Sequence, residues 1–290
     1  MQILMATHGA PHDEVALRFG AEIAHRADKL PTVLTVIQHE RERPQGDAVL
    51  AHARGILEMQ GLQTWTRLRI GHPAAEIVRE AEERDHGLII VGDSQDHKLV
   101  TRFLHGSTAV RVVEHAPCPV IVAKGEAEPI RRILVCDSGA ESPLVGLPSA
   151  SLGTGGTGPS VLGRFTAQLA GLLKGKEEIT ILHVMSQMSA GPGVEGKPLR
   201  ASAEELIEEH APEGELLDAD LQALERLGVQ ARAVVRHGLV VDEILAEAQR
   251  RNYDLVVIGA YRGEGWQRIL LDDQAHRLIV QLDRPVLILR

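Results

Sequence analysis

His8, His12 and Asp13, close together in the run THGAPHDE, are imidazole and carboxylate groups of the kind that ligate a metal ion. No further ligand-type residues cluster beside them in the sequence, so His12 and Asp13 are read as the start of a helix and no metal is expected. GTGGTGPS, Gly153 to Ser160, satisfies G-x-G-x-x-G and nearly satisfies a P-loop, with Pro159 where the lysine belongs. A dinucleotide site needs its glycines directly after a strand and an acid near the end of the next strand. Here Gly153 lies 16 positions beyond Asp137, and ILHVM ends without an acid, so the segment is read as an insertion loop. His97, Lys98, Arg102 and His105 make the stretch after Gly92 basic, which suits a phosphate and equally suits a solvated loop. No Ser/His/Asp or Cys/His constellation can be assembled by spacing, and neither Cys118 nor Cys136 has the electropositive setting that makes a thiolate. No catalytic residue is expected.

The elements that must position these groups are announced by a repeat. GHPAAEIVREAEERDHGLIIVG, Gly71 to Gly92, returns as GLVVDEILAEAQRRNYDLVVIG, Gly238 to Gly259, at a constant offset of 167 positions. Such a period is far longer than the roughly 20–50 residues of a solenoid unit, so each copy is a whole domain. Ala74, Ile77, Val78 and Ala81 form an apolar stripe at helical spacing, repeated by Val241, Ile244, Leu245 and Ala248. Strands read at Ile3–Ala6, Thr32–Ile37, Thr64–Ile70, Leu88–Val91 and Val120–Val122, then at Ile133–Cys136, Ile179–Val184, Val229–Val235, Leu255–Ile258 and Val286–Leu289. Several, such as LIIV and LVVI, are apolar on consecutive residues, as in a parallel sheet covered on both faces. The expected fold is α/β with two Rossmann-like domains, residues 1–124 and 130–290, each of five strands with helices on both faces. The second carries insertions near 140–160 and 186–216, and its acidic stretch around Glu204–Asp220 reads as a solvated helical face with a break at Pro212 and Gly214.

Composition sets the outer limits. With 44% apolar and 24% charged residues the chain reads as an ordinary globular protein, and with 2% aromatics its cores must be aliphatic. A net charge of −9 offers phosphate backbones no broad basic field, so nucleic acid is not an expected partner. MQILMATHGA has neither the basic start nor the long apolar run of a signal peptide, and the uncharged stretch Ser142–Gly163 carries too many glycines and prolines to span a bilayer. Two cysteines inside strand-like segments of different halves read as reduced, buried thiols; the expected location is the cytoplasm, with no membrane partner.

After the fourth strand the first half reads VGDSQDHKLVTRFLHGSTAVRVVEHAPCPVIV. A strand ending in Val-Gly, a basic loop, Gly-Ser opening a helix and then His-Ala-Pro-Cys-Pro-Val at His115–Val120 resembles the universal stress protein family, in tandem over nearly the whole chain. The resemblance implies a strand order of 3-2-1-4-5 in each domain and an antiparallel pairing of PVIVA with PVLIL, so that one chain imitates a dimer; further self-association stays open. It also implies an adenine nucleotide, ATP or a relative, with adenine against the backbone near Val36 and Ile37. The phosphates would then lie on Gly92, Gly106, Ser107 and Thr108, near His8 and Gly9. This sequence departs from the nucleotide-binding pattern, G-x-x-G, nine residues, then G-[ST], with an Asp ending the first strand. Gln95 stands at the second glycine, the loop is one residue longer, and His8 replaces the Asp. In the second half Asp137 and Gly259 fit the pattern, but Asp272-Asp273 replaces Gly-[ST] and repels phosphate unless Mg²⁺ intervenes. The resemblance implies a non-catalytic stress-response protein. The alternatives are a nucleotide-free interaction module using the acidic segment and Gly-rich loop, and an ATP-using enzyme of the related superfamily.

Overall fold

The computed structural model describes residues 1–93, 108–126, 129–137, 161–185, 201–259 and 273–289. They form two compact units, Met1–Ile130 with Arg262–Arg290, and Arg131–Tyr261.

In the first unit the strands are β1 (Gln2–Ala6), β2 (Thr32–Ile37), β3 (Trp65–Ile70), β4 (His86–Gly92) and β5 (Val120–Ala123). They lie side by side and parallel in the order β3-β2-β1-β4-β5. Helices α1 (Pro11–Ala27), α2 (Arg43–Met59) and α3 (Pro73–Glu83) connect them, and α4 (Thr108–His115) precedes β5. β4 and β5 are buried along nearly their whole length, which is why Leu88–Val91 and Val120–Ala123 are apolar without alternation. β3 is an edge, largely exposed, and carries Arg67 and Arg69, charges that discourage pairing with another chain.

The second unit repeats this with β6 (Arg132–Asp137), β7 (Glu178–Met185), β8 (Gln230–His237) and β9 (Leu255–Gly259), parallel in the order β8-β7-β6-β9. Its helices are α5 (Val161–Leu169), α6 (Ala203–Glu208), α7 (Pro212–Arg226) and α8 (Val240–Arg250). The break expected in the acidic stretch separates α6 from α7. Pro212 opens α7 at a position that needs no N–H, and Gly214 lies where any Cβ would strike the Leu206 carbonyl of α6. The chain then supplies α9 (Asp273–Gln281) and β10 (Val286–Leu289) to the first unit. β10 runs antiparallel to β5, with Val286 opposite Val122 and Ile288 opposite Val120, the pairing expected for PVIVA and PVLIL.

The duplicated helix is held to its sheet in the same way in both units. Ile77 and Ile244 are buried at matching positions, each contributing about 1.5–3 kcal/mol over the exposed state. Gly71 and Gly238 enter the turn at φ 150° and 158°, and a Cβ at either would run into the side chain of Glu76 or Glu243. On β3, Arg69 reaches Glu76 and Glu80 at 2.7 Å each and Glu83 at 2.8 Å. On β8, Arg236 reaches Glu247 at 2.6 Å, and the Tyr253 hydroxyl donates to the same carboxylate at 3.1 Å. Arg69 and Glu80 are each 167 positions from Arg236 and Glu247, so one arginine–carboxylate tie was duplicated with the domain. Glu80 and Glu247 are each only 3% exposed, and removing one partner of such a pair leaves a buried charge. Arg69→Leu is therefore expected to cost about 3 kcal/mol. That is the low end of the range, because Arg67 stands 3.8 Å from Glu80; urea denaturation of the full chain measures it.

Where the second copy has Tyr253 the first has His86, buried and with a hydrogen-bond partner for neither ring nitrogen. Burial pushes the imidazole below its ordinary pKa; Glu80 and Asp85 oppose this and Arg84 and Arg67 support it. Between the unfolded value near 6.5 and the depressed folded value the unfolded state binds the extra proton. Stability due to His86 is thus present above about pH 6.5 and lost as pH falls below it. His86→Tyr, giving Glu80 the hydroxyl that Glu247 receives from Tyr253, is expected to flatten that slope in denaturation midpoints compared at pH 7.5 and pH 5.5.

Candidate functional site

At the carboxyl ends of β1, β2 and β4 the first unit has a cavity of about 640 Å³. The connections leaving β1 and β4 diverge here, the position where open parallel sheets bind ligands. Its walls are the loop after β1 (Thr7, His8), the β2 end (Val36, Ile37, Gln38), Gly92 and Asp93 after β4, and the first turns of α1, α3 and α4. Gly46 and Val49 of α2 close one side. The size falls within the roughly 300–1,000 Å³ usual for small-molecule sites.

Asp13 organises this end of the sheet. It sits at the third position of α1, 3% exposed, and its Oδ2 accepts from the amides of His8 (2.8 Å) and Ala10 (3.3 Å) and from the Thr7 hydroxyl (3.2 Å). The His8 ring nitrogen Nδ1 also lies 2.8 Å from Oδ2. The Gly9 amide then donates to Thr7 Oγ1 at 3.1 Å, and Thr35 Oγ1 donates to the Thr7 carbonyl at 2.6 Å, so the loop is tied to β2 as well. Burial works to raise the Asp13 pKa, but hydrogen bonds from the His8 ring and amide outweigh it and hold the carboxyl below its ordinary value. The same hydrogen bond raises the His8 pKa against the effect of burial. Pro11 at the first position and the acids Asp13 and Glu14 in the first turn fit the helix start expected from the sequence.

Gly92 is required by contact. A Cβ there would lie 2.9 Å from both Asp13 Oδ1 and the His12 carbonyl, so α1 can press against the end of β4 only because this residue is glycine. Beside it, the Asp93 carboxylate lies 3.1 Å from the ammonium of Lys124. Lys124 is almost wholly buried and also donates to the Ile279 carbonyl of α9.

Of the residues singled out in the sequence, His8, Val36, Ile37, Gly92 and Thr108 line this cavity, and Gly9 sits in the loop beside it with φ 87°. Gln95, Gly106, Ser107, the basic loop residues, the Gly153–Ser160 motif and Asp272 lie outside the described residues. In the second unit Asp137 ends β6 and Gly259 ends β9. A Cβ at Gly259 would meet the guanidinium of Arg164 and the side chain of Val161, so an arginine from α5 occupies the space that α1's first turn takes at Gly92. Cys118 and Cys136 are buried, and neither is in a disulfide. Lining residues that the sequence did not single out include Thr7, Gln38, Glu42, Gln45, Val49 and Asp93. Asp13 was read there as a helix start alone, because a buried organising carboxylate and a surface capping acid share one spacing. The structure also brings together His8, His12 and Asp13, the ligand-type residues of THGAPHDE for which the sequence favours a helix start over a metal site.

These observations define a Rossmann-like tandem domain protein with a pocket at its first switch point. The family model for the universal stress protein family matches residues 1–124 and 164–290, and the chain belongs to that family. A universal stress protein of Methanocaldococcus jannaschii is 37% identical over 82 residues, 28% of this chain and 48% of that one. One from Synechocystis is 28% identical over 120 residues, 41% of each chain. The matched segments thus span about half or less of these curated relatives. The crystal structure of a universal stress protein from Archaeoglobus fulgidus superposes over 100% of this chain and 96% of its own, with a TM-score of 0.67 at 18% identity, which shows the shared fold.

Asp13→Ala removes the acceptor of three loop donors and is expected to lower stability by about 2 kcal/mol. Asp13→Asn keeps an acceptor and should lose less. Gly92→Ala should destabilise by displacing the first turn of α1. Urea midpoints of the three variants check all of this, and a wild-type midpoint for Asp13→Ala would refute the organising role.

Proposed function

We propose that this is a non-catalytic stress-response protein that binds an adenine nucleotide in its first domain. The carrying observation is the cavity at the ends of β1, β2 and β4, where His8, Val36, Ile37, Gly92 and Thr108, named separately in the sequence, share one wall system. In this reading Val36 and Ile37 offer strand-end backbone and apolar surface to adenine. Gly92 and the start of α4 face the phosphates, with the positive end of the α4 dipole contributing. Gly106 and Ser107 complete the phosphate side in the family pattern. The functional domains are residues 1–124 and 130–290, and the protein works in the cytoplasm. No helix among the described residues is long and apolar enough to cross a membrane. The second domain is the weaker candidate: Arg164 fills the space at Gly259, and the sequence places Asp272-Asp273 where Gly-[ST] is wanted.

Mass spectrometry of nucleotide released from freshly purified protein, followed by calorimetric titration with ATP and AMP, tests the reading. One site per chain is expected. Val36→Trp should abolish binding by filling the adenine side of the cavity, with an unchanged denaturation midpoint, and Gly106→Asp should abolish it by placing charge against phosphate. Asp272→Gly with Asp273→Ser should leave the first site intact. An empty protein that also fails to take up nucleotide would overturn the reading in favour of an interaction module. A site lost on changing Asp137 but kept in Gly106→Asp would move the ligand to the second domain.

A further inference from the structure

We infer that His8, His12 and Asp13 form a binding site for one divalent transition-metal ion of the zinc type, with an open coordination position facing the first-unit cavity. One ligand atom from each residue lies within 4.8 Å of the others. His8 Nδ1 is 2.8 Å and His12 Nε2 is 3.7 Å from the two Asp13 oxygens, and the imidazole centroids are 5.3 Å apart. Ligands bonded tetrahedrally to one zinc ion at about 2.0–2.1 Å stand roughly 3.3 Å from one another, so the 3.7 Å from His12 Nε2 to Asp13 Oδ1 and the 4.8 Å span of the whole set call for a modest closure around the ion. The adjustment falls on His8, whose side chain is 66% exposed and free to swing, while Asp13 is held rigidly by the His8 and Ala10 amides and the Thr7 hydroxyl. Asp13 Oδ2 is the atom saturated by those donors, which leaves Oδ1, the oxygen facing His12, as the metal's carboxylate ligand.

The ligand set chooses the ion. Two imidazoles and one carboxylate suit zinc, cobalt or nickel, whereas Mg²⁺ prefers oxygen ligands in octahedral geometry. Three protein ligands leave the fourth position of a tetrahedral ion for water or a ligand, as in open zinc sites. The surroundings favour a cation as well. Among the described residues, the cavity lining holds the carboxylates of Asp13, Glu42 and Asp93, no lysine and no arginine, and only Asp93 has an ammonium beside it, that of Lys124. A divalent ion at the open position would present full positive charge to an anionic group entering the cavity, which no lysine or arginine of the described lining does. The site does not depend on the nucleotide reading, since all three ligands belong to the chain.

The test uses full-length protein freed of metal and nucleotide by chelator and dialysis, titrated with Zn²⁺ alone in a calorimeter and, separately, with Co²⁺ followed by its visible absorption. One ion per chain is expected, with the intense d–d bands of tetrahedral Co²⁺ and no displacement by millimolar Mg²⁺. His8→Ala and His12→Ala should each weaken Zn²⁺ at least about 10-fold, since even outer-shell changes cost 10–100-fold. His12→Ala should keep the wild-type denaturation midpoint in the absence of metal, because that ring is only partly buried and stands 3.7 Å from Asp13, whereas His8→Ala also loses its 2.8 Å contact with Asp13 and should lower the midpoint slightly. The inference fails if no Zn²⁺ binds, or if binding survives unchanged in the His8→Ala, His12→Ala double variant, which would assign the ion to other histidines of the chain. Loss of ATP binding with Zn²⁺ binding intact would reject the nucleotide reading and leave this one standing.

Discussion

A single buried carboxylate decides the shape of the first unit's ligand end. Without its charge, Asp13 could not gather the amides of His8 and Ala10 and the Thr7 hydroxyl, and the chain leaving β1 would have no reason to turn back into α1 over Gly92. Burial of an ion opposes folding, and here the opposition is overcome by hydrogen bonds from the loop after β1. The glycine at the end of β4 is the complement of that choice, since it admits the helix that carries the carboxylate. Thr35 extends the same network into β2, so the ends of β1 and β2 are tied together beside the cavity by polar contacts above the aliphatic core.

The two halves show which parts of the ancestral domain were retained after duplication. The β3–α3 and β8–α8 ties, Arg69 to Glu80 and Arg236 to Glu247, persist at identical offset with the glycine turn before each helix. They serve the packing of helix on sheet, and in the first unit Arg69, Glu76 and Glu80 themselves do not line the cavity. The ligand ends diverged instead. One unit has a carboxylate and two histidines over its glycine; the other has an arginine over the matching glycine, Gly259. Divergence confined to strand ends and loops is what a scaffold tolerates, because those residues carry little of the core.

The fold was readable because its signals are local and repeated. Uninterrupted aliphatic runs marked the parallel strands within one or two residues of their observed ends, and a 3.6-residue stripe marked α3 and α8 on the face that is buried. The antiparallel partnership of β5 with β10 came from family resemblance, as no periodicity relates segments so distant in the chain. The site was readable only in part. Gly92, Val36 and Ile37 stand at strand ends, where topology says ligands go. Gln38, Glu42, Gln45 and Val49 come from the β2–α2 connection and α2, whose register against β1 is set by packing that spacing does not encode. His8, His12 and Asp13 are visible in sequence as ligand-type residues, but their convergence is not, because the hydrogen bonds that fold the loop after β1 onto the first turn of α1 leave no mark in spacing.

The pairing of β10 with β5 gives the molecule a direction in time. Ribosomal synthesis delivers β1 through β5 first, and Val286 follows Ala123 by 163 residues. At about 5–20 residues per second, β5 waits roughly 8–30 seconds with its outer backbone groups unclaimed. An unpaired, wholly aliphatic strand is the element most prone to join a neighbouring nascent chain during such an interval. The later-made segment is thus the one that retires the hazard left by the earlier, and the tandem arrangement ensures that it arrives on the same polypeptide.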